Sequence, residues 1–150
     1  YLDGLHATML GATEVDTDFN VNVNTHSDGR LLHGIGGHQD SAAGAFLTMI
    51  TIPVFRKDIP VIRENVTTLT TPSEVIDAIV TDQGIAINPK RKDLLDRIDG
   101  NIDLVSIEEL KQIADEETGG PPELDLGDDI VGITKWRDGT LLDMIYRVKE

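Results

Sequence analysis

Apolar and polar positions fall in short, strand-like blocks over the first half of this chain and settle into helical spacing in the second. Leu5 to Val15 carries enough apolar and β-compatible residues for one strand, and Phe19 to Val23 alternates with period two. Ser27-Asp28-Gly29-Arg30 is a turn signal, which predicts that Asp18–Asn24 and Leu31–Gly34 pair as a hairpin. Leu47 to Val54 is an apolar, β-branched run closed by Pro53, the composition of a strand buried on both faces. Pro60 to Thr67 and Val75 to Ile87 predict two more extended segments, punctuated by Thr70-Thr71-Pro72 and Gln83-Gly84.

Helical spacing begins after Asn88-Pro89, where Leu94, Leu95 and Ile98 share one face of a helix over Lys90 to Ile98. Ser106 with Glu109 three residues on is a capping box, and Ile107, Leu110, Ile113 and Ala114 form the stripe of the helix it opens. Gly119-Gly120-Pro121-Pro122 ends that helix. Ile130–Thr134 and Leu141–Val148 flank Arg137-Asp138-Gly139-Thr140, a hairpin signature. Strands interspersed with helices predict an α/β fold, a mixed, largely parallel sheet with flanking helices.

At 150 residues, 39% hydrophobic and 27% charged, the chain is long enough for a single domain with one sizeable core. No apolar run reaches the length of a membrane span and no secretion signal opens the chain, so no membrane partner is expected. The chain begins with Tyr1, from which we expect it to be a piece of a longer polypeptide. With no cysteine it has no disulfide, thiolate metal site or cysteine nucleophile, which fits a cytoplasmic protein. The net charge of −14 argues against nucleic acid, because phosphate neutralisation needs a basic face. Lys90-Arg91-Lys92 is the one basic cluster, read as a solvated helix start.

The chemistry concentrates in Gly34 to Ala45, GIGGHQDSAAGA, a glycine-rich turn running into small, helix-compatible residues. Glycine admits positive φ and lets a ligand approach the backbone, while a turn feeding a helix start gathers unpaired N–H groups. Such a loop suits an anion or a polarised carbonyl. It lacks the Gly-Lys-Ser/Thr of a P-loop and the third glycine of a dinucleotide fingerprint. His38, inside the loop, can donate hydrogen bonds to a carboxylate. His33, His38 and Asp40 have no established metal-ligand spacing, so no metal is expected. Glu14 and Asp16 stand at a strand end, where α/β enzymes place chemistry. No G-x-S-x-G elbow supports a serine triad.

The segments EVDTDFNVNV (Glu14 to Val23), SDGRLLHGIGGHQDSAAGA, PVFRKDIPVI, NVTTLTTPSEVIDAIVTDQGIAINPKRKDLL and VSIEELKQIA together resemble the citrate lyase alpha chain family, in one register from about Leu10 to the terminal YRVKE. Acetate and hydroxybutyrate CoA-transferases are similar but carry GGQ or GGS where this chain has Gly36-Gly37-His38. The resemblance implies that residues 1–150 form a single CoA-transferase-like domain, the C-terminal part of a longer chain. It implies exchange of acetyl for citryl on a carrier-protein thiol: acetyl-carrier plus citrate gives citryl-carrier plus acetate. Gly36, Gly37 and His38 are then the catalytic candidates, and Gly34, Gln39, Asp40 and Glu14 the substrate-binding ones. The glutamate nucleophile of CoA-transferase relatives would lie before Glu14, leaving Glu14 a supporting role. The implied partners are citrate, an acyl-carrier (gamma) subunit and a lyase (beta) subunit in an oligomeric complex. The dephospho-CoA-derived group would be supplied in trans by the carrier, with no cofactor held by this chain. Two other readings stand beside this: a non-catalytic assembly or carrier-docking domain, and a CoA-transferase acting on free acyl-CoA.

Overall fold

The computed structural model describes residues 4–98 and 100–149. In chain order the elements are β1 (Thr8–Leu10), β2 (Glu14–Asp16), β3 (Val21–Asn22), α1 (His38–Gly44), β4 (Thr48–Thr51), β5 (Phe55–Arg56), β6 (Ile59–Pro60) and β7 (Ile62–Arg63). A 3-10 turn at Ser73–Val75 precedes β8 (Ala78–Thr81) and β9 (Gly84–Ile87), followed by α2 (Lys92–Ile98), α3 (Ile107–Thr118), β10 (Leu126–Lys135) and β11 (Leu141–Val148).

The fold is mixed α/β, but the expected largely parallel sheet is replaced by small sheets of both kinds. The order β1-β4-β8-β9 makes one sheet and β3-β2-β7 a second, with β5-β6 and β10-β11 as separate two-stranded ribbons. Pairing is parallel at β1/β4, β4/β8 and β2/β7, and antiparallel at β2/β3, β5/β6, β8/β9 and β10/β11. The cause lies in two breaks inside runs read as continuous. Gly11-Ala12-Thr13 splits Leu5–Val15 into β1 and β2, which enter different sheets. Asp82-Gln83 folds Val75–Ile87 back on itself as β8 and β9, with Gly84 at φ +144 and an added Cβ there 2.7 Å from Val105 Cγ2.

The hairpin expected between Asp18–Asn24 and Leu31–Gly34 reduces to a single bridge, Thr25 to Leu31. β3 turns instead to Glu14–Val15 and to Thr71. The Asn22 side chain accepts from the N–H groups of Asn24 (3.0 Å) and Thr25 (3.1 Å), bending the chain away from a ladder. Leu31 and Leu32 are left exposed. β4 has one buried side rather than two: Thr48 and Ile50 are enclosed while Thr51 faces solvent.

The helices follow their sequence signals more closely. Ser106 and Glu109 form the reciprocal capping box, and Gly119 closes α3 in the left-handed conformation. α3 buries Ile107, Leu110 and Ala114 in the core with Val15, Ile50, Ile62, Ile76 and Ile79. α1 adds Ala42 to the same core. Among the described residues, no helix is long and apolar enough to cross a membrane.

Leu69 holds the long β10–β11 ribbon to the body through two hydrogen bonds. Leu69 N–H donates to Asp143 Oδ2 at 2.8 Å, and the Thr134 hydroxyl donates to the Leu69 carbonyl at 2.7 Å. These bonds bring the ribbon's tip, residues 136–140, against the start of α1.

Candidate functional site

The glycine loop enters α1 through two different conformations. Gly36 sits at φ +62, which glycine reaches without a Cβ penalty. Gly37 is the N-cap at φ −89, with no side-chain cap. Its carbonyl accepts the first helical bond, from Ser41 N–H at 2.9 Å. Among the described residues neither the Gly36 nor the Gly37 N–H meets an acceptor, so both donors stand open at the helix start.

The residues that follow are anchors more than free ligands. His38 is buried, with Nε2 3.1 Å from the Gly11 carbonyl and Nδ1 2.8 Å from Thr71 Oγ1. A carbonyl only accepts, so Nε2 carries the proton and Nδ1 accepts from the threonine hydroxyl. Burial lowers the pKa of this imidazole, and the Gly11 carbonyl only partly opposes that. His38 is thus neutral and committed on both nitrogens. Gln39 is also buried, its amide donating to the Thr70 carbonyl at 2.6 Å and the Lys135 carbonyl at 2.9 Å.

Asp40 reaches the other way, to Arg137 at the ribbon's tip, with Nε 2.8 Å from Oδ1. Gly36, Gln39, Asp40, Trp136, Arg137 and Asp138 line a cleft of about 540 Å³. Arg137 thus brings a guanidinium to the cleft, a group whose planar donors suit a carboxylate. A second, more apolar cavity of about 450 Å³ shares Trp136 and Asp138 with the cleft. Gly34 is exposed and stands outside the cleft lining, its carbonyl 2.9 Å from His33 Nδ1.

Glu14 is placed elsewhere, wholly enclosed with Arg63 as its ion-pair partner. Asn22 Nδ2 donates to Oε2 at 2.9 Å, Thr67 N–H to Oε2 at 2.8 Å, and the Thr67 hydroxyl to Oε1 at 3.0 Å. Burial alone would push this carboxyl up. Arg63 and the hydrogen bonds from Ser27, Asn22 and Thr67 outweigh it and hold the group below its ordinary value. The carboxylate therefore belongs to the interior between β2, β3 and β7, away from the cleft.

The cleft can bind an anion and stabilise developing negative charge with backbone and guanidinium donors. Among its lining residues no nucleophile stands beside a base. Trp136 and Arg137 were invisible as site residues in the sequence, because Arg137-Asp138-Gly139-Thr140 reads as a turn and nothing local ties it to a loop about a hundred residues earlier.

A mixed α/β fold with a glycine turn of unpaired N–H groups at a helix start is the class these features define. The family model for the citrate lyase alpha subunit (CitF) matches residues 1–148, and the chain belongs to that family. It is 48% identical over 146 residues to the citrate lyase alpha chain of Klebsiella pneumoniae, covering 97% of this chain and 29% of that one. To the Escherichia coli alpha chain it is 43% identical over 150 residues, 99% of this chain and 29% of that one. A crystal structure from Streptococcus mutans, described as the alpha subunit of citrate lyase in complex with citrate, superposes with a TM-score of 0.96 at 41% identity, covering 99% of this chain and 29% of its own. The chain thus spans less than a third of the length of these relatives.

Proposed function

We propose that this chain supplies the charge-stabilising part of an acyl-carrier transferase site in a citrate lyase alpha subunit. The reaction is acetyl-carrier plus citrate giving citryl-carrier plus acetate. The observation that carries this reading is the Gly36–Gly37 turn, with both N–H groups unpaired among the described residues, of which Gly36 lines one cleft together with Arg137. The citrate in the complex from Streptococcus mutans supports a tricarboxylate as the ligand of the family.

A citrate carboxylate oxygen attacks the acetyl thioester carbonyl, and the tetrahedral oxyanion collapses by breaking the C–S bond. This gives a citric–acetic anhydride and the carrier thiolate. The thiolate then attacks the citryl carbonyl of the anhydride and acetate leaves. Both steps place charge on a carbonyl oxygen, so fixed N–H donors lower both barriers. Gly36 and Gly37 are the donors in this scheme, and Arg137 holds a citrate carboxylate in a fork. His38 and Gln39 position the turn through Gly11, Thr71, Thr70 and Lys135. Asp40 orients Arg137. The carrier arm, a dephospho-CoA-derived group on the gamma subunit, is a substrate here and no cofactor of this chain. The beta subunit would take the citryl product onward.

Gly37→Val in a full-length alpha subunit tests the reading. Gly37 has an ordinary φ of −89 and an added Cβ there meets nothing within 4 Å, so the variant should fold. The valine keeps the backbone N–H but fills the open space through which a carbonyl oxygen must approach it, so turnover should fall by roughly a hundredfold or more, comparable to the loss of one oxyanion donor. Wild-type turnover in a folded Gly37→Val subunit would overturn the oxyanion role.

A further inference from the structure

The β10–β11 ribbon carries apolar side chains that nothing among the described residues covers. Ile130, Val131 and Ile133 on β10 and Leu141 on β11 are each about half exposed. Single exposed apolar residues are ordinary, but a contiguous group rimmed by polar residues marks an interaction surface. β10 pairs with β11 alone among the described strands, so its other edge has no neighbouring strand. The stretch is bounded by opposite charges, with Asp128 before it and Lys135 after it. Other charges on the ribbon are matched within the chain: Asp129 with Arg147 at 3.3 Å, Asp125 with Lys149 at 2.9 Å and Arg137 with Asp40 at 2.8 Å. Asp128 and Lys135 are exposed, and neither has an ion-pair partner among the described residues.

We propose that β10 is a contact surface between two copies of this chain, related by a twofold axis that passes between Val131 and Gly132. Twofold symmetry brings the same patch of both copies together, so the patch must complement itself. An antiparallel alignment about that centre sets Asp128 opposite Lys135 and Ile130 opposite Ile133, each pair occurring twice. Apolar then meets apolar in the middle and acid meets base at both ends, the pairings that stabilise neighbouring strands. A slip of two residues destroys the match, because it sets Lys135 opposite Ile130 or Asp128 opposite Ile133. The pairing shifts of β10 around Ile130 and Gly132 interrupt its outer edge. Side chains, more than a continuous backbone ladder, therefore carry the contact. A few half-exposed side chains fall short of the roughly 800 Å² per partner of a standard interface. The net charge of −14 on each copy also opposes close approach, so the association is weak and concentration-dependent.

Charge reversal tests the alignment, read by sedimentation velocity over a concentration series on this chain and on a full-length alpha subunit. The chain alone should pass from monomer to dimer between about 10 μM and about 1 mM. Asp128→Lys and Lys135→Asp each create two like-charge pairs across the axis, and each should weaken the dimer about tenfold or more. Both side chains are exposed, so the variants keep the fold. In an equimolar mixture of the two variants every acid again faces a base, and the dimer should return to within about threefold of the wild type. Ile133→Ser should weaken it as well, with no such recovery on mixing. The full-length subunit should show the same loss and recovery in the sedimentation of its assembly. A chain that stays monomeric to about 1 mM would overturn the proposal. So would single variants that dimerise as well as the wild type, a mixture no tighter than its components, or a full-length subunit indifferent to both reversals.

Discussion

Arg137 Nε lies 2.8 Å from Asp40 Oδ1, joining the tip of the β10–β11 ribbon to the first turn of α1. Both side chains are substantially exposed, so the pair adds little to stability, about 0–1 kcal/mol for such surface contacts. Its value is orientation: the contact holds the Arg137 guanidinium at the cleft that both residues line. Arg137→Ala should therefore leave the unfolding midpoint nearly unchanged and raise the citrate KM about tenfold or more, the loss of one charge-assisted fork. Urea unfolding beside steady-state kinetics of a full-length subunit separates the two. A large midpoint loss with unchanged KM would make the residue a structural clamp only.

Glu14 and Arg63 form the one buried ion pair among the described residues in which both partners are almost fully enclosed. Arg63→Ala leaves the Glu14 carboxylate buried without its cation and should cost about 3–5 kcal/mol in urea unfolding. The pH dependence has a defined sign. The folded pKa of Glu14 is lowered below its unfolded value, so its contribution is present above the unfolded pKa and is lost as pH falls through the folded one. Asp16 is shifted the other way, raised chiefly by burial against its hydrogen bonds with Asn20, and its contribution has the opposite sign. Subtracting the stability profile of Glu14→Gln from that of the wild type isolates the first effect on the acid side.

His38 carries a second, independent pH signal. Its folded pKa is lowered from the ordinary 6.5, chiefly by burial, so between the folded and unfolded values the unfolded chain binds more protons. Stability should decline as pH falls through about 6.5 and level off below the folded pKa. Protonation also costs the Nδ1 acceptor that Thr71 uses. Thermal unfolding between neutral and mildly acidic pH should show this slope in the wild type and lose it in His38→Gln. An unchanged slope would place the titration on another group.

Ser106→Ala removes the hydroxyl that accepts from Glu109 N–H and half of the capping box. It should destabilise the fold by about 1 kcal/mol and leave ligand binding at the cleft untouched. Gly84→Ala should cost considerably more, because the position combines φ +144 with a Cβ contact 2.7 Å from Val105. Equal unfolding midpoints for the two variants would show that the β8–β9 turn has room the geometry denies.

The 150-residue chain should unfold cooperatively yet show no acetate exchange with acetyl-carrier and citrate. Its cleft can stabilise charge, but the relatives place it in polypeptides more than three times as long. Exchange of labelled acetate on the purified chain is the check. Activity above a few per cent of that of a full-length subunit would mean that the whole site resides here.

Local signals were legible where one residue type answers one backbone need. Ser106 and Glu109 announced α3, Arg137 to Thr140 announced the β10–β11 turn, and the glycines before His38 announced the loop into α1. Sheet membership was not legible, because Leu5–Val15 gives no sign that Gly11 sends its two halves into different sheets. The commitments of His38 and Gln39 were hidden as well. A polar side chain in a glycine loop looks available in sequence, and only the Gly11, Thr71, Thr70 and Lys135 partners show it spent. The pairing of Gln39 with Lys135 spans 96 positions, far beyond any window of periodicity.

That Gln39 amide has a dynamic consequence. Its two N–H groups tie Gln39, on the α1 wall of the cleft, to the Thr70 segment and to the end of β10, the strand that leads into the other wall. The α1 wall cannot part from the ribbon without stripping the Lys135 bond from a buried amide, and an unpaired buried polar group is costly. The loop therefore does not work as a lid: its shape is settled before any substrate arrives, and binding gives up little freedom in this part of the molecule. Whatever motion admits and releases substrates must belong to what approaches the cleft from outside.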